Sequence, residues 1–243
     1  MHYVGEARLG FDLKASSHFH VIEYIHELPF DQCRGVDIHS SKTTSWIYKK
    51  SKWGRNACVT IERLDRRSSE TVYLNGFLHI MGYSWGCQIL AVDMEGETWR
   101  KIPCPRGSKG SIHQAQGHLC VVRGCDIPKL NIWILEDYGT NKWTFKHTVN
   151  TLDVLLETNI KFGYLDVDQY YTMVHPEWNL LLFVGVGDEN DIVAYNMDSR
   201  KVDVFPTCYS AFFRWDVLPQ NICRPYYLPY VPLFSELESL AEE

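Results

Sequence analysis

The chain has 243 residues, 45% hydrophobic and 22% charged, with a net charge of −6. That balance suits a chain with a buried core and argues against widespread disorder, while the lack of a long basic run argues against a nucleic-acid partner. The longest apolar run, around residues 180–186, is too short to span a bilayer, so no membrane partner is expected.

Aromatic content is 14%, which favours strands over a helix bundle. The first unit reads LGFDLKASSHFHVIEYI and then GVDIHSSKTTSWIYKK. The second is clearer. TVYLNGFLHIMGY turns at Asn75-Gly76, a pair suited to a tight hairpin because both residues tolerate positive φ. A loop with Trp85 precedes QILAVDM, and a turn at Glu95-Gly96 leads into TWRKIP. The third unit turns at Gln116-Gly117, then runs through LNIWILED and a Gly139-Thr140-Asn141 turn into KWTFKHTV. The fourth, YYTMVHPEWNLLLFVG, turns at Pro176-Glu177 and continues through GDEND to IVAYNM and KVDVFP.

One phrase recurs through these units. Asp93 and Trp99, Asp137 and Trp143, and Asn196 and Val202 each lie six apart, and a looser version sets Asp37 nine residues before Trp46. The acid or amide is expected to cap a turn, and the Trp or Val to start a fourth strand that packs on the next unit's sheet. The markers are separated by 56, 44 and 59 residues, a rhythm that fits propeller blades with variable loops. The expected fold is all-β: a β-propeller of four-stranded antiparallel blades, about four of them, at 8–50, 71–104, 111–149 and 162–206 within a single domain, 1–243. Segments 51–70 and 150–161 are long connectors, the second able to form one or two helical turns. The proline-bearing tail, 224–234, reads as an extended segment.

Together these phrases resemble the F-box-associated β-propeller domains of plant F-box proteins, especially those of grasses. The carrying stretches are LGFDLKASSHFHVIEY, VDIHSSKTTSWIY, VYLNGFLHIMGY, ILAVDMEGETWRKIP, QGHLCVV and YLPYVPLFSELESL, from about residue 8 to residue 238. The resemblance implies a protein-interaction module like the substrate-recognition part of an SCF-type E3 ubiquitin ligase, binding an unidentified protein substrate. In that family an N-terminal F-box docks on a Skp1-type adaptor. No leucine-rich F-box helix stands at the start here, and the first blade or blades are missing from the pattern. The adaptor is therefore expected only for a longer form containing the F-box, and the ring is expected to be incomplete or open. Eight scattered cysteines, none in a CxxC pair, and no apolar signal segment point to reduced thiols in the cytoplasm or nucleus. The alternative is a small-ligand- or glycan-binding propeller, or a propeller hydrolase.

Candidate chemistry is sparse, and no enzyme activity, cofactor or metal is expected. His113, His118, Cys120 and Cys125 are zinc-type ligands within thirteen residues, but no second paired motif accompanies them. GDENDIV lacks the glycine and glutamate of a calcium loop. Asp12, His113 and Asp166 would be the residues of a hydrolytic channel, yet no nucleophile phrase joins them. His18 and His20 read as packing or surface residues, and Trp215-Asp216 falls outside the blade rhythm. The better binding candidates lie in the loops joining second to third strands and blade to blade. These are Tyr83 and Trp85, Arg106 and Lys109, Asp126 and Lys129, and Asp188 and Glu189, since aromatic and arginine side chains dominate binding hot spots.

Overall fold

A computed structural model describes residues 2–10, 18–27, 32–54, 71–84, 86–105, 110–126, 128–158, 171–175, 179–186 and 191–205. Its strands fall into four sheets. The first comprises β1 (His2–Gly10), β2 (His20–Glu27), β3 (Gln32–Ser40) and β4 (Ser45–Lys50). The second comprises β5 (Thr71–Leu74), β6 (Phe77–Ser84), β7 (Gly86–Asp93) and β8 (Trp99–Pro103). The third comprises β9 (Gly110–Ala115), β10 (His118–Asp126), β11 (Lys129–Asp137) and β12 (Lys142–Asn150). A short helix, α1 (Thr151–Glu157), follows β12, and the fourth sheet comprises β13 (Tyr171–Val174), β14 (Leu180–Val186), β15 (Asp191–Asn196) and β16 (Val202–Phe205).

Every sheet is an antiparallel meander in chain order. The first strands β1, β5, β9 and β13 neighbour one another in succession, which sets them at the innermost position. Four-stranded meanders stacked through their first strands make a propeller-type, all-β fold.

Local chemistry explains the turns. Asn75 and Gly76 have φ of 53° and 79°, and Gln116 and Gly117 have φ of 50° and 77°. Positive φ at both central residues gives the hairpin twist that matches its strands. At the next reversal but one, side-chain oxygens cap the backbone. Asp93 accepts from the amides of Glu97 and Thr98 at 2.8 Å each, and Asp137 from Gly139 at 2.8 Å. Asn196 accepts from Asp198 at 3.0 Å and Ser199 at 2.9 Å. In the first sheet this place belongs to Ser40, whose Oγ accepts from the Lys42 amide at 3.3 Å. Asp37 instead lies within β3, opposite Glu23 and Tyr48. The spacing of six therefore holds in all four units once Ser40 replaces Asp37.

The sheets bury their faces against one another in three seams. Ile22, Tyr24, Val36 and Ile38 of the first sheet pack on Leu78, Ile80, Leu90 and Val92 of the second. Val72, Leu74, Met81, Ile89 and Ile102 of the second pack on Ile112, Leu119, Val121 and Leu135 of the third. Cys120, Val122, Leu130 and Ile132 of the third pack on Val174, Leu181, Phe183 and Val193 of the fourth, with Val154 of α1 joining them. Among the described residues no cluster joins the fourth sheet to the first.

The side chains that open each fourth strand point backward, not forward as expected from sequence. Trp99 sits opposite Val92, on the face turned to the first sheet, and its ring meets Trp53 edge-on at 4.6 Å. Trp143, opposite Leu135, joins the seam with the second sheet and donates from Nε1 to the Pro103 carbonyl at 2.8 Å. Val202, opposite Tyr195, joins the seam with the third sheet. The cause is strand alternation, which puts each marker on the same face as its cross-strand partner on the third strand. Trp46 takes the equivalent place in β4 and is 51% exposed, since no described sheet precedes the first.

A buried imidazole crosses the middle seam. His79 is fully buried, with Nδ1 3.0 Å from the Val72 carbonyl and Nε2 2.7 Å from the Tyr138 hydroxyl. A carbonyl only accepts, so Nδ1 carries the proton and Nε2 accepts from Tyr138. Arg100 closes the group, with its guanidinium 4.2 Å from the Tyr138 ring centre and a bond of 2.6 Å to the Tyr138 carbonyl. Burial pushes the His79 pKa down to about 4, and that of His113, beside the outer seam, down to about 3.

Two outcomes follow. Trp99→Ala and Trp143→Ala should each cost about 2 kcal/mol or more in urea unfolding, and Trp46→Ala under about 1 kcal/mol, because only the first two empty a seam. Equal losses at all three positions would contradict the backward packing. As pH falls through the ordinary histidine range near 6.5, the unfolded chain takes up protons that buried His79 refuses until about pH 4. Stability from this group is therefore full above that range and declines across the window, by about 3 kcal/mol. Urea midpoints between neutral and mildly acidic pH should fall less steeply for His79→Gln than for the parent, and parallel slopes would refute the assignment.

Candidate partner-binding face

An antiparallel meander fixes which loops share an end. The turn from second to third strand and the link from one sheet to the next leave from the same end of the sheet. The strand ends that close β6, β8, β10 and β14 therefore lie at corresponding ends of their sheets. Tyr83 pairs with Cys87 just before the β6–β7 turn. Asp126 closes β10 opposite Lys129, the exposed first residue of β11. The Pro128 carbonyl beside them accepts from both Nα and Oγ1 of Thr151 at 2.8 Å, which ties this turn to the start of α1. Trp85, Arg106, Lys109, Asp188 and Glu189 lie outside the described residues, as do the side chains of Tyr83 and Asp126.

The structure adds a surface the sequence reading passed over. On the outer face of the first sheet, Leu9, Val21, His39 and Trp46 form one cross-strand row, and Ala7, Glu23, Asp37 and Tyr48 the next. Leu9, Trp46 and Tyr48 are 60%, 51% and 53% exposed. Trp46 rests on the His39 ring at 5.1 Å, and Tyr48 Oη donates to the Arg34 carbonyl at 3.3 Å. The signal was present in the marker spacing, but its meaning depends on which way the marker packs.

Three of the four zinc-type candidates of the third sheet fall on one face. Cys120 and His113 are direct cross-strand partners, and His118 pairs with Ala115, so the three share a face. Cys120 belongs to the apolar seam, and the Cys125 side chain lies outside the described residues. Among the described residues no group of three His, Cys, Asp or Glu side chains is placed to hold a metal. His113 Nε2 lies 2.7 Å from Ser111 Oγ, a pairing that invites a nucleophile reading. Burial pushes this imidazole down to about 3, which disfavours proton uptake at neutral pH, and its bond to Ser111 is partly buried. Asp12, Asp166, most of the GDEND loop, Trp215, Asp216 and segment 224–234 lie outside the described residues. His20 opens β2 opposite Gly10 and Ser40, and His18 is exposed just before it. Cys33 is buried, and burial pushes its thiol up to about 12. Among the described residues no helix is long and apolar enough to cross a membrane.

No family model matches the chain. An F-box protein of Arabidopsis thaliana is 30% identical over 112 residues, which are 42% of this chain and 31% of that protein. The match thus spans under a third of that relative's length. TolB from Acinetobacter baumannii aligns over 83% of this chain and 44% of its own, at 6% identity and a TM-score of 0.45. A puromycin-hydrolyzing peptidase of Mycobacterium tuberculosis aligns over 84% of this chain and 28% of its own, at 11% identity and a TM-score of 0.42. A Synechocystis apocarotenoid oxygenase aligns over 84% and 50%, at 8% identity and a TM-score of 0.46. At these scores the three likenesses carry no argument, and the fold rests on the chain's own sheet order. The sequence match relates the chain to an F-box protein and goes no further.

Proposed function

We propose that this chain is a non-enzymatic protein-interaction module, corresponding to the substrate-recognition propeller of an F-box protein. The observation that carries the reading is the 30% identity to an F-box protein. Four rigidly seamed sheets supply the platform, and their loop ends supply the contacts. Tyr83 and Trp85, Arg106 and Lys109, Asp126 and Lys129, and Asp188 and Glu189 engage a protein substrate. Aromatic side chains bury area there, and the charged ones fix orientation. A Skp1-type adaptor belongs to a longer, F-box-containing form, and the module acts in the cytoplasm or nucleus. The alternative of a propeller hydrolase loses ground because His113 is buried and held neutral.

Affinity capture from plant extract tests the reading, comparing the 243-residue chain with a longer version carrying an F-box. Both should retain the same substrate, and only the longer one an adaptor and cullin. Trp85→Ala and Lys129→Glu should each weaken substrate retention at least about fivefold, a hot-spot loss, with circular dichroism unchanged. Undiminished retention by both variants would remove the loop ends from the site.

A further inference from the structure

Arg123 lies in β10, opposite Gly110 of β9 and Asn131 of β11, and is only 2% exposed. Alternation puts it on the same face as Leu119 and Val121, in the seam between the second and third sheets. It stands three residues from the end of β10, beside Pro105. One nitrogen, Nη1, donates to the Pro105 carbonyl. The other two, Nε and Nη2, are buried and meet no acceptor among the described residues. Arg100, in the same seam, differs, because its charge rests on the Tyr138 ring and its Nη2 donates to a carbonyl.

The identity of the two unpaired nitrogens matters. Nε–H and Nη2–H lie along one edge of the guanidinium plane and point the same way. That edge is the side-on fork, whose spacing matches the two oxygens of a carboxylate. A buried cation left with a neutral carbonyl as its partner is strongly unfavourable unless an anion completes it. The backbone leaves room for the stem, since a Cβ at Gly110 would stand 2.7 Å from Arg123 Cγ. A residue larger than glycine there would displace the guanidinium.

We propose that Arg123 anchors a carboxylate-binding site at this end of the seam between the second and third sheets, taking one carboxylate side-on through Nε and Nη2. A planar, singly charged, two-oxygen group fits the fork. A phosphate would bring a further charge and tetrahedral oxygens that leave the plane of the fork. The site goes beyond the protein-docking role proposed above and does not require that any protein partner be found.

The test uses the whole chain and three salts at neutral pH and matched ionic strength: sodium acetate, sodium chloride and sodium phosphate. Acetate should raise the melting temperature of the parent saturably, by about 2–4 °C, with little effect from the other two. Arg123→Met should abolish the acetate effect and melt at or above the parent in chloride, because it removes a buried charge that has no anionic partner among the described residues. If that variant fails to fold, Arg123→Lys keeps the charge but loses the fork, and its acetate shift should fall at least threefold. In proton–nitrogen correlation spectra, the arginine Nε–H signal missing from Arg123→Lys should move on acetate titration of the parent. No acetate effect on the parent, an equal effect in either variant, or a larger effect from phosphate would each overturn the proposal.

Discussion

The whole arrangement depends on one sheet covering the face of the next. A four-stranded meander has an apolar face that it cannot bury by itself, and the stacked neighbour removes that face from water. The contact is made specific at the turn into the fourth strand. A capped reversal fixes where that strand begins, and the side chain near its start is then delivered onto the preceding sheet. Trp99 and Trp143 make directional contacts, since Trp143 bonds a backbone carbonyl of the sheet before it and Trp99 meets the buried Trp53 edge-on. Turn chemistry and inter-sheet packing are thus two parts of the same device, repeated at each joint.

Polar groups inside the seams make the joint directional. Sliding one sheet on the next would keep much of the apolar burial but would break the bond between His79 and Tyr138. It would also pull Arg100 from the Tyr138 ring. An unpaired imidazole or hydroxyl in that setting costs far more than the bond gains, so the network penalises wrong registers more than it rewards the right one. Trp53 acts likewise between the first two sheets, with its Nε1 shared between the carbonyls of Ala91 and Arg100.

Much of this was legible in the sequence because it is local. Asn75-Gly76, Gln116-Gly117 and the residues that follow Asp93, Asp137 and Asn196 define their turns by backbone chemistry alone, and the strands follow between them. What could not be read was set by partners distant in the chain. The direction in which Trp99 packs depends on which face the preceding sheet occupies, a tertiary fact with no local signature. Asp37 seemed the equivalent of Asp93 because an acid is the commoner cap, whereas Ser40, a weaker version of the same cap, holds the place. Arg123, next to Gly124 near a strand end, carries no local sign of its burial, which the tertiary structure sets, with its Nη1 bonded to the Pro105 carbonyl. The loop candidates were chosen by their position at strand ends, and the meander places the ends themselves together.

The state of the titratable groups separates scaffold from site. Within the seams, burial drives every shifted group toward its uncharged form: His79 and His113 downward, Tyr24 and Cys33 upward. Groups held neutral in this way specify packing but do little acid–base work near neutral pH. At exposed turns the direction reverses. Glu97, held by Lys49 first and Lys52 second, and Asp137, held by Thr140 and backbone amides, are kept charged below the ordinary carboxylate range. Apart from Arg100 and Arg123 in the middle seam, the described joints thus hold their shifted groups neutral, while the exposed turns carry charge.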